Sequence, residues 1–310
     1  KGESHTGIEE SLEYAALDEH NFDIQGPTSI RSLLDTPYPG SSGDTAPVWY
    51  GFAPGDAYPT GDKRKFGVAC EPNFQNRVYK LDSLPATIEG IVTLEPQHYE
   101  KISMCGEDHR YYGSYFIQDA TGSILVLKDS RISDFSVGDR VKLDVRGVTK
   151  QFGRLSVAAF DDEKVVKRAE DRETKGAPYE RLTQTFGKRF GKPSGWARGN
   201  NCWNLDGFNV PEGFGNNYRV TGRVCREPNS RNFNELVLQK GPDKCVDNPK
   251  VEWTVSMGLE LGRRGLGLKK GDVVTVTGPV YGQLIGLVPC KWTFRMIATT
   301  VGQFKDFSGK

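Results

Sequence analysis

Apolar and polar residues alternate with a period of two in short runs from residue 86 to the end of the chain. That period predicts half-buried β-strands. Ala86-Thr-Ile-Glu-Gly-Ile-Val-Thr-Leu is the first such run. Tyr115 to Gln118 and Ser123 to Leu127 follow as a hairpin about a turn rich in Asp and Gly. A second pair comes next, Gly138-Asp-Arg-Val-Lys-Leu-Asp-Val-Arg-Gly-Val and Arg154-Leu-Ser-Val, with Phe152-Gly153 at the tip. The same grammar returns later. Tyr218-Arg-Val-Thr-Gly-Arg-Val-Cys-Arg-Glu-Pro repeats the first strand, and Leu236-Val-Leu-Gln and Trp253-Thr-Val-Ser-Met supply the middle pair. Gly271-Asp-Val-Val-Thr-Val-Thr-Gly-Pro-Val then leads to a tip at Tyr281-Gly282. A repeat of about 130 residues is too long for a solenoid unit and implies tandem domains.

Five strands with a connector between the third and fourth is the order of the small Greek-key OB barrel. The expected fold is therefore all-β, with two tandem five-stranded OB-type barrels at residues 86–168 and 217–310. Gly90 and Gly222 sit where a strongly bent first strand needs a residue without a side chain. Residues 1–66 read as a long, irregular, acidic N-terminal arm. It holds short helices at Gly7 to Leu17 and at Ser29 to Leu34, the latter capped by Thr28 or Ser29. Trp49, Tyr50, Phe52 and Tyr58 favour an arm packed on a domain or on a neighbouring subunit. Residues 67–85 connect the arm to the first barrel, and residues 169–216 form a Gly-rich bridge of basic and aromatic residues.

Composition agrees: 36 glycines and 17 prolines in 310 residues suit many short strands joined by turns. No apolar run approaches the roughly 20 residues of a membrane span. The net charge of +1 is unevenly spread. Residues 1–85 hold 7 Lys and Arg against 13 Asp and Glu, and residues 169–310 hold 22 against 14. The C-terminal part can thus meet an anionic partner. The six cysteines, Cys70, Cys105, Cys202, Cys225, Cys245 and Cys290, are widely spaced with no Cys-x-x-Cys pair. An even number in turn contexts points to disulfides in an oxidising compartment, with the pairing open. The chain begins Lys1-Gly-Glu-Ser, from which removal of a targeting segment is expected. Together these suggest the periplasm, the cell surface or secretion.

OB barrels bind ligands on strands two and three, between the loops that flank them. In the first barrel that selects Tyr111, Tyr112, Tyr115, Lys150, Phe152 and Arg154, rings and cations fit for stacked bases and phosphates. In the bridge, Lys188, Arg189, Trp196 and Arg198 form a second basic-aromatic group. The alternative there is a linker whose rings dock on the barrels while its cations stay in water. Arg263, Arg264 and Tyr281 are the candidates of the second barrel. His98, Cys105 and His109 match no compact zinc spacing, so neither a metal nor a cofactor is expected. The chain has no Gly-x-Ser-x-Gly elbow, P-loop or His-Glu-x-x-His, and no catalytic role is expected.

Tyr115-Phe-Ile-Gln-Asp-Ala-Thr-Gly-Ser-Ile-Leu-Val, Val137-Gly-Asp-Arg-Val and Val145-Arg-Gly-Val resemble the OB-fold domains of secreted and envelope bacterial proteins. The resemblance covers residues 86–160 well and 217–298 more loosely. It implies an extracytoplasmic OB-fold protein with no inherited catalytic role. The opposite charges of residues 1–85 and 169–310 add the expectation of a protein partner or copies of itself, bound through the arm and bridge as in a filament subunit. Single-stranded nucleic-acid binding, or service as an accessory module of a secreted nuclease, is the alternative.

Overall fold

The computed structural model describes residues 24–35, 78–80, 86–94, 115–126, 136–151, 154–169, 178–182, 184–190, 210–229, 231, 234–240, 244–257, 261, 266–285 and 291–308. The expected helix at 7–17 lies outside them.

The alternating runs of the first repeat become strands β1 (Val78–Lys80), β2 (Ala86–Leu94), β3 (Tyr115–Gln118), β4 (Ser123–Val126), β5 (Arg140–Gln151) and β6 (Arg154–Lys167). β2 pairs with β3, and β3 with β4, both antiparallel. β4 runs parallel to β6, β6 returns antiparallel along β5, and β5 closes on β2. This cycle is the OB topology, and β1 extends it by pairing with β5.

The second repeat gives β7 (Glu180–Arg181), β8 (Asn217–Arg226), β9 (Glu235–Gln239), β10 (Glu252–Met257), β11 (Val273–Ile285), β12 (Lys291–Ala298) and β13 (Phe304–Ser308). It closes in the same order, again with one parallel pair, β10 with β12. The chain is all-β with two five-stranded barrels. One expected turn is absent: Tyr281 and Gly282 lie inside β11, opposite Arg295 and Phe294, because the strand continues to Ile285.

The repeat extends to hydrogen bonds. In barrel 1, Gly138 at φ 94° donates to the Val92 carbonyl at 2.8 Å, and the Asp139 carboxylate accepts from Ser136 N–H at 3.0 Å. In barrel 2, Gly271 at φ 102° donates to Val224 O at 2.8 Å, and Asp272 accepts from Lys269 N–H at 2.8 Å. Only glycine adopts such a φ without strain, so each Gly-Asp pair pins the entry of the fourth strand to the first. The first strand bulges at the matching place in each barrel, between Val92 and Leu94 and between Val224 and Arg226. Gly90 and Gly222 owe their place to close backbone approach. A Cβ on Gly90 would lie 2.7 Å from Gln118 O, and one on Gly222 would lie 3.1 Å from Gln239 O.

Part of the expected arm belongs to barrel 1. Helix α1 (Ile30–Leu34) is capped by Ser29, whose side chain accepts from Ser32 N–H. Its first turn sits on the β3–β4 turn. Ile30 N–H donates to Asp119 Oδ2 at 2.9 Å, and Arg31 N–H to Thr121 Oγ1 at 3.0 Å. Asp119 Oδ1 meanwhile accepts from the N–H groups of Thr121 and Gly122. The Asp-Ala-Thr-Gly turn is therefore both a hairpin turn and a helix dock. Ile30, Leu33 and Leu34 are buried and join the barrel 1 core.

Removing a buried leucine costs both its transfer energy and a cavity. Leu33→Ala is expected to lower the unfolding free energy by about 2–5 kcal/mol in urea titration. Val166→Ala, at a side chain 49 % exposed, should change it by less than about 0.5 kcal/mol. Equal effects would show that α1 adds nothing to the core.

Candidate binding surfaces

All eight residues of β3 and β4, the strands that carry ligands in OB barrels, are buried. Alternation puts Phe116, Gln118, Ser123 and Leu125 on the face opposite Tyr115, Ile117, Ile124 and Val126. Barrel 2 and its approach cover the Phe116 face. The rings of Phe116 and Tyr281 meet at 6.0 Å between centroids, tilted by 48°. Gln118 Oε1 accepts the Asn217 N–H at 2.8 Å in a buried bond. Gly215, at φ 81°, lies against the same face: a Cβ there would be in ordinary contact, 3.5 Å from Ser123 Cβ and 3.6 Å from a Phe116 ring carbon. Val210, Phe214, Tyr281 and Ile297 pack with the core of barrel 1. The usual ligand face of the first barrel is thus the seam between the barrels.

Helix α2 (Phe186–Phe190) turns one side of the bridge into barrel 2. Phe186 and Phe190 are buried there, and Phe190 packs edge-on to Phe214 and Tyr218 and tilted against Phe294. Lys188 and Arg189 stay at the surface. Arg189 Nη2 donates to both Glu180 carboxylate oxygens, at 2.6 and 2.9 Å, and its guanidinium carbon lies 5.8 Å from the Tyr218 ring centroid. Tyr218 donates its hydroxyl to the Gly213 carbonyl at 2.8 Å. Burial pushes the Tyr218 phenol up to about 12, with Arg189 pulling the other way.

The outer face of β9 is partly strapped by its own connection to β10. The Gln239 carboxamide donates from Nε2 to Val246 O at 2.7 Å and accepts the Val246 N–H at 2.9 Å. A disulfide joins Cys245, beside Val246, to Cys225 on β8. Cations gather at this end of the barrel. Arg223 and Arg226 lie on β8, Lys244 precedes the disulfide, and Lys269 and Lys270 sit in the turn whose Gly271 bonds to Val224. Arg223 Nη1 donates to Gly271 O at 2.7 Å. Glu235 holds Arg295 at 3.0 Å and approaches Arg226 at 3.8 Å, so one carboxylate serves two guanidiniums.

No family model matches the chain, and no curated protein matches it in sequence. Among solved structures it is similar to the tetrameric p202 HIN2. That match covers 72 % of this chain and 92 % of the other at 9 % identity, with a TM-score of 0.29. So loose a likeness carries no functional weight. The OB assignment rests on the strand pairings.

Of the sequence-predicted residues, Tyr115 and Tyr281 have no ring face open to a ligand. Tyr115 is 0 % exposed inside barrel 1 and donates its hydroxyl to Glu163 at 2.7 Å, and Tyr281 is 1 % exposed in the seam. Lys150 and Arg154 flank the β5–β6 turn, where Lys150 pairs with Leu155 and Arg154 with Gln151. Lys188 and Arg189 share α2. Tyr111, Tyr112, Phe152, Trp196, Arg198, Arg263 and Arg264 lie outside the described residues, as do Cys70, Cys105, Cys202 and Cys290. Sequence reasoning missed Gln118 and Gln239, which end the second strand of each barrel and hold a backbone across it. Their signal was the matched Phe116-Ile-Gln and Val237-Leu-Gln.

Gln118→Leu leaves the Asn217 N–H buried without its acceptor, and a loss of about 1–3 kcal/mol is expected in chemical unfolding. An unchanged midpoint would mean that this bond does not hold the seam. Tyr218 also predicts an alkaline effect. Its neutral form is favoured by folding, so that stability is complete below pH 10 and lost as pH rises from 10 towards 12. Tyr218→Phe should flatten the fall in stability across that window. An identical pH profile would show that Tyr218 is not a source of it.

Proposed function

We propose that the protein acts by binding, outside the cytoplasm and without catalysis, and that its partner is an acidic protein segment, foremost the N-terminal segment of another copy. The observation that carries this reading is the closed seam. With the outer face of β3–β4 turned against barrel 2, no ring among the described residues of these two strands is open to stack a base. Charge remains to drive association. Residues 217–310 hold 15 Lys and Arg against 8 Asp and Glu, while residues 1–23 hold one Lys against seven Asp and Glu. Opposite charge on two parts of one chain favours head-to-tail contact between copies, which builds a filament when it does not close. The Cys225–Cys245 disulfide supports an oxidising compartment. Among the described residues no helix is long and apolar enough to cross a membrane.

The cations at the disulfide end also suit phosphates, so nucleic acid is the second reading. Sedimentation velocity across protein concentrations separates the two. Deleting residues 1–23 spares α1 and so leaves the barrel 1 core its plug. Association of the full chain at low salt, weakened by added salt and lost on deleting 1–23, is the expected result. Association that survives the deletion would overturn the acidic-segment reading. A short fluorescent oligonucleotide, bound tightly at low salt and released steeply as salt rises, would favour nucleic acid instead.

A further inference from the structure

We propose that the Cys225–Cys245 disulfide is a clasp: it holds residues 244–251 as a strap over the outer end of β9, and thiol–disulfide exchange with a dithiol releases the strap and uncovers Gln239. This proposal does not depend on which partner the protein binds.

Among the described residues little else holds the strap. Lys244, Val246, Asp247, Asn248, Pro249 and Lys250 are all exposed, with Val246 at 43 %, and no strap residue joins either barrel core. Asn248 caps the short turn Pro249–Val251 through Lys250 N–H, a bond internal to the strap. Among the described residues, strap and barrel are joined by the two Gln239–Val246 bonds, the crosslink, and the approach of Cys245 Sγ to Val224 O at 3.6 Å that comes with it. Two neutral hydrogen bonds do not by themselves order an exposed segment, because fixing each backbone residue costs conformational entropy of comparable size. The crosslink supplies the difference by keeping the strap beside β8.

Barrel closure does not pass through the strap. β8 pairs with β9 and β11, β9 with β10, and β10 with β12, all among residues outside 244–251. Release would therefore leave the barrel whole while uncovering a side chain that is now 2 % exposed and whose carboxamide would keep only its long bond to Glu252 Oε1, at 3.4 Å. The first barrel shows what such a group does. Gln118, at the matching place, accepts the Asn217 N–H of a chain laid across its strand. Gln239 offers both donor and acceptor to a backbone, as it does to Val246. Both cysteines are half-buried, within reach of a small dithiol. In the exchange the Sγ–Sγ bond breaks and two thiols form. The two electrons and two protons come from the dithiol, which closes to its own disulfide.

Residue-resolved amide exchange on the full chain tests the clasp, comparing the oxidised protein with C225S/C245S. The Val246 N–H should exchange at least about tenfold faster in the variant, while ladder amides of Leu238, Trp253 and Val255 stay within about twofold. Undiminished protection of Val246 would overturn the proposal, since the strap would then hold without the crosslink. Ladder amides accelerating in step with Val246 would also overturn it, since the disulfide would then hold the barrel and not a strap. As a second measurement, dithiol treatment of the wild-type chain should reproduce the Val246 change, and reoxidation should reverse it. Failure of either step would count against a reversible clasp.

Discussion

Burial of one sheet face governs how this molecule can work. An OB barrel has an interior that its own side chains fill and an outer strand face usually left for a ligand. Here the outer face of β3–β4 carries Phe116 and Leu125, apolar surface that water does not favour. Barrel 2 covers it with Tyr281 and the Gly213–Asn217 turn, and the buried Gln118–Asn217 bond satisfies the polar groups that the contact would otherwise strand. Glycine at 215 supplies the left-handed backbone, φ 81°, by which this turn lies against Ser123 and Phe116. The first barrel has this strand face closed by its neighbour, and the binding we propose therefore draws on the second barrel and the segments around it.

The two barrels show how a repeat diverges without losing its frame. Each keeps the left-handed glycine, the aspartate beside it, the bulge in the first strand and the glycine that admits the second strand. Replacing the left-handed glycines costs strain, and replacing the aspartates leaves a turn N–H without its acceptor. The outer end of the second strand is free of such constraints, and the repeats differ there in what they hold. Gln118 holds the approach to barrel 2, whereas Gln239 holds a strap of its own connection. One residue type in one place has been used for a fixed joint and for a surface tie.

Much of the fold was legible in the sequence because strand alternation and Gly-Asp turns are local signals. The strands around Gly90, Gly222 and the Gly138-Asp and Gly271-Asp pairs fall where their patterns place them. Tyr281-Gly282 misled because an aromatic-glycine pair suits a hairpin tip as well as a strand, and only its partners across the sheet decide. The candidate site was less legible. Tyr115 and Tyr281 look the same in sequence whether they face a ligand, a core or a neighbouring barrel. The partners that meet them, Glu163 in one case and Phe116 in the other, are distant along the chain. Residues 24–35 read as part of an acidic arm because Asp119 and Thr121, which dock α1, stand some 90 positions away.

The most direct test asks whether the first barrel's ligand face is closed in solution. Ser123 lies on that face, buried, with Gly215 against it. Ser123→Cys is a small change that weakens one buried hydrogen bond, from Ser123 Oγ to Ile117 O at 3.0 Å, and peptide-resolved maleimide labelling reads its accessibility. A closed seam predicts no labelling at position 123 in the native protein and full labelling once it is unfolded. Rapid labelling of the folded chain, with its unfolding midpoint unchanged, would show the face open to a ligand and contradict the assignment of function to the second barrel.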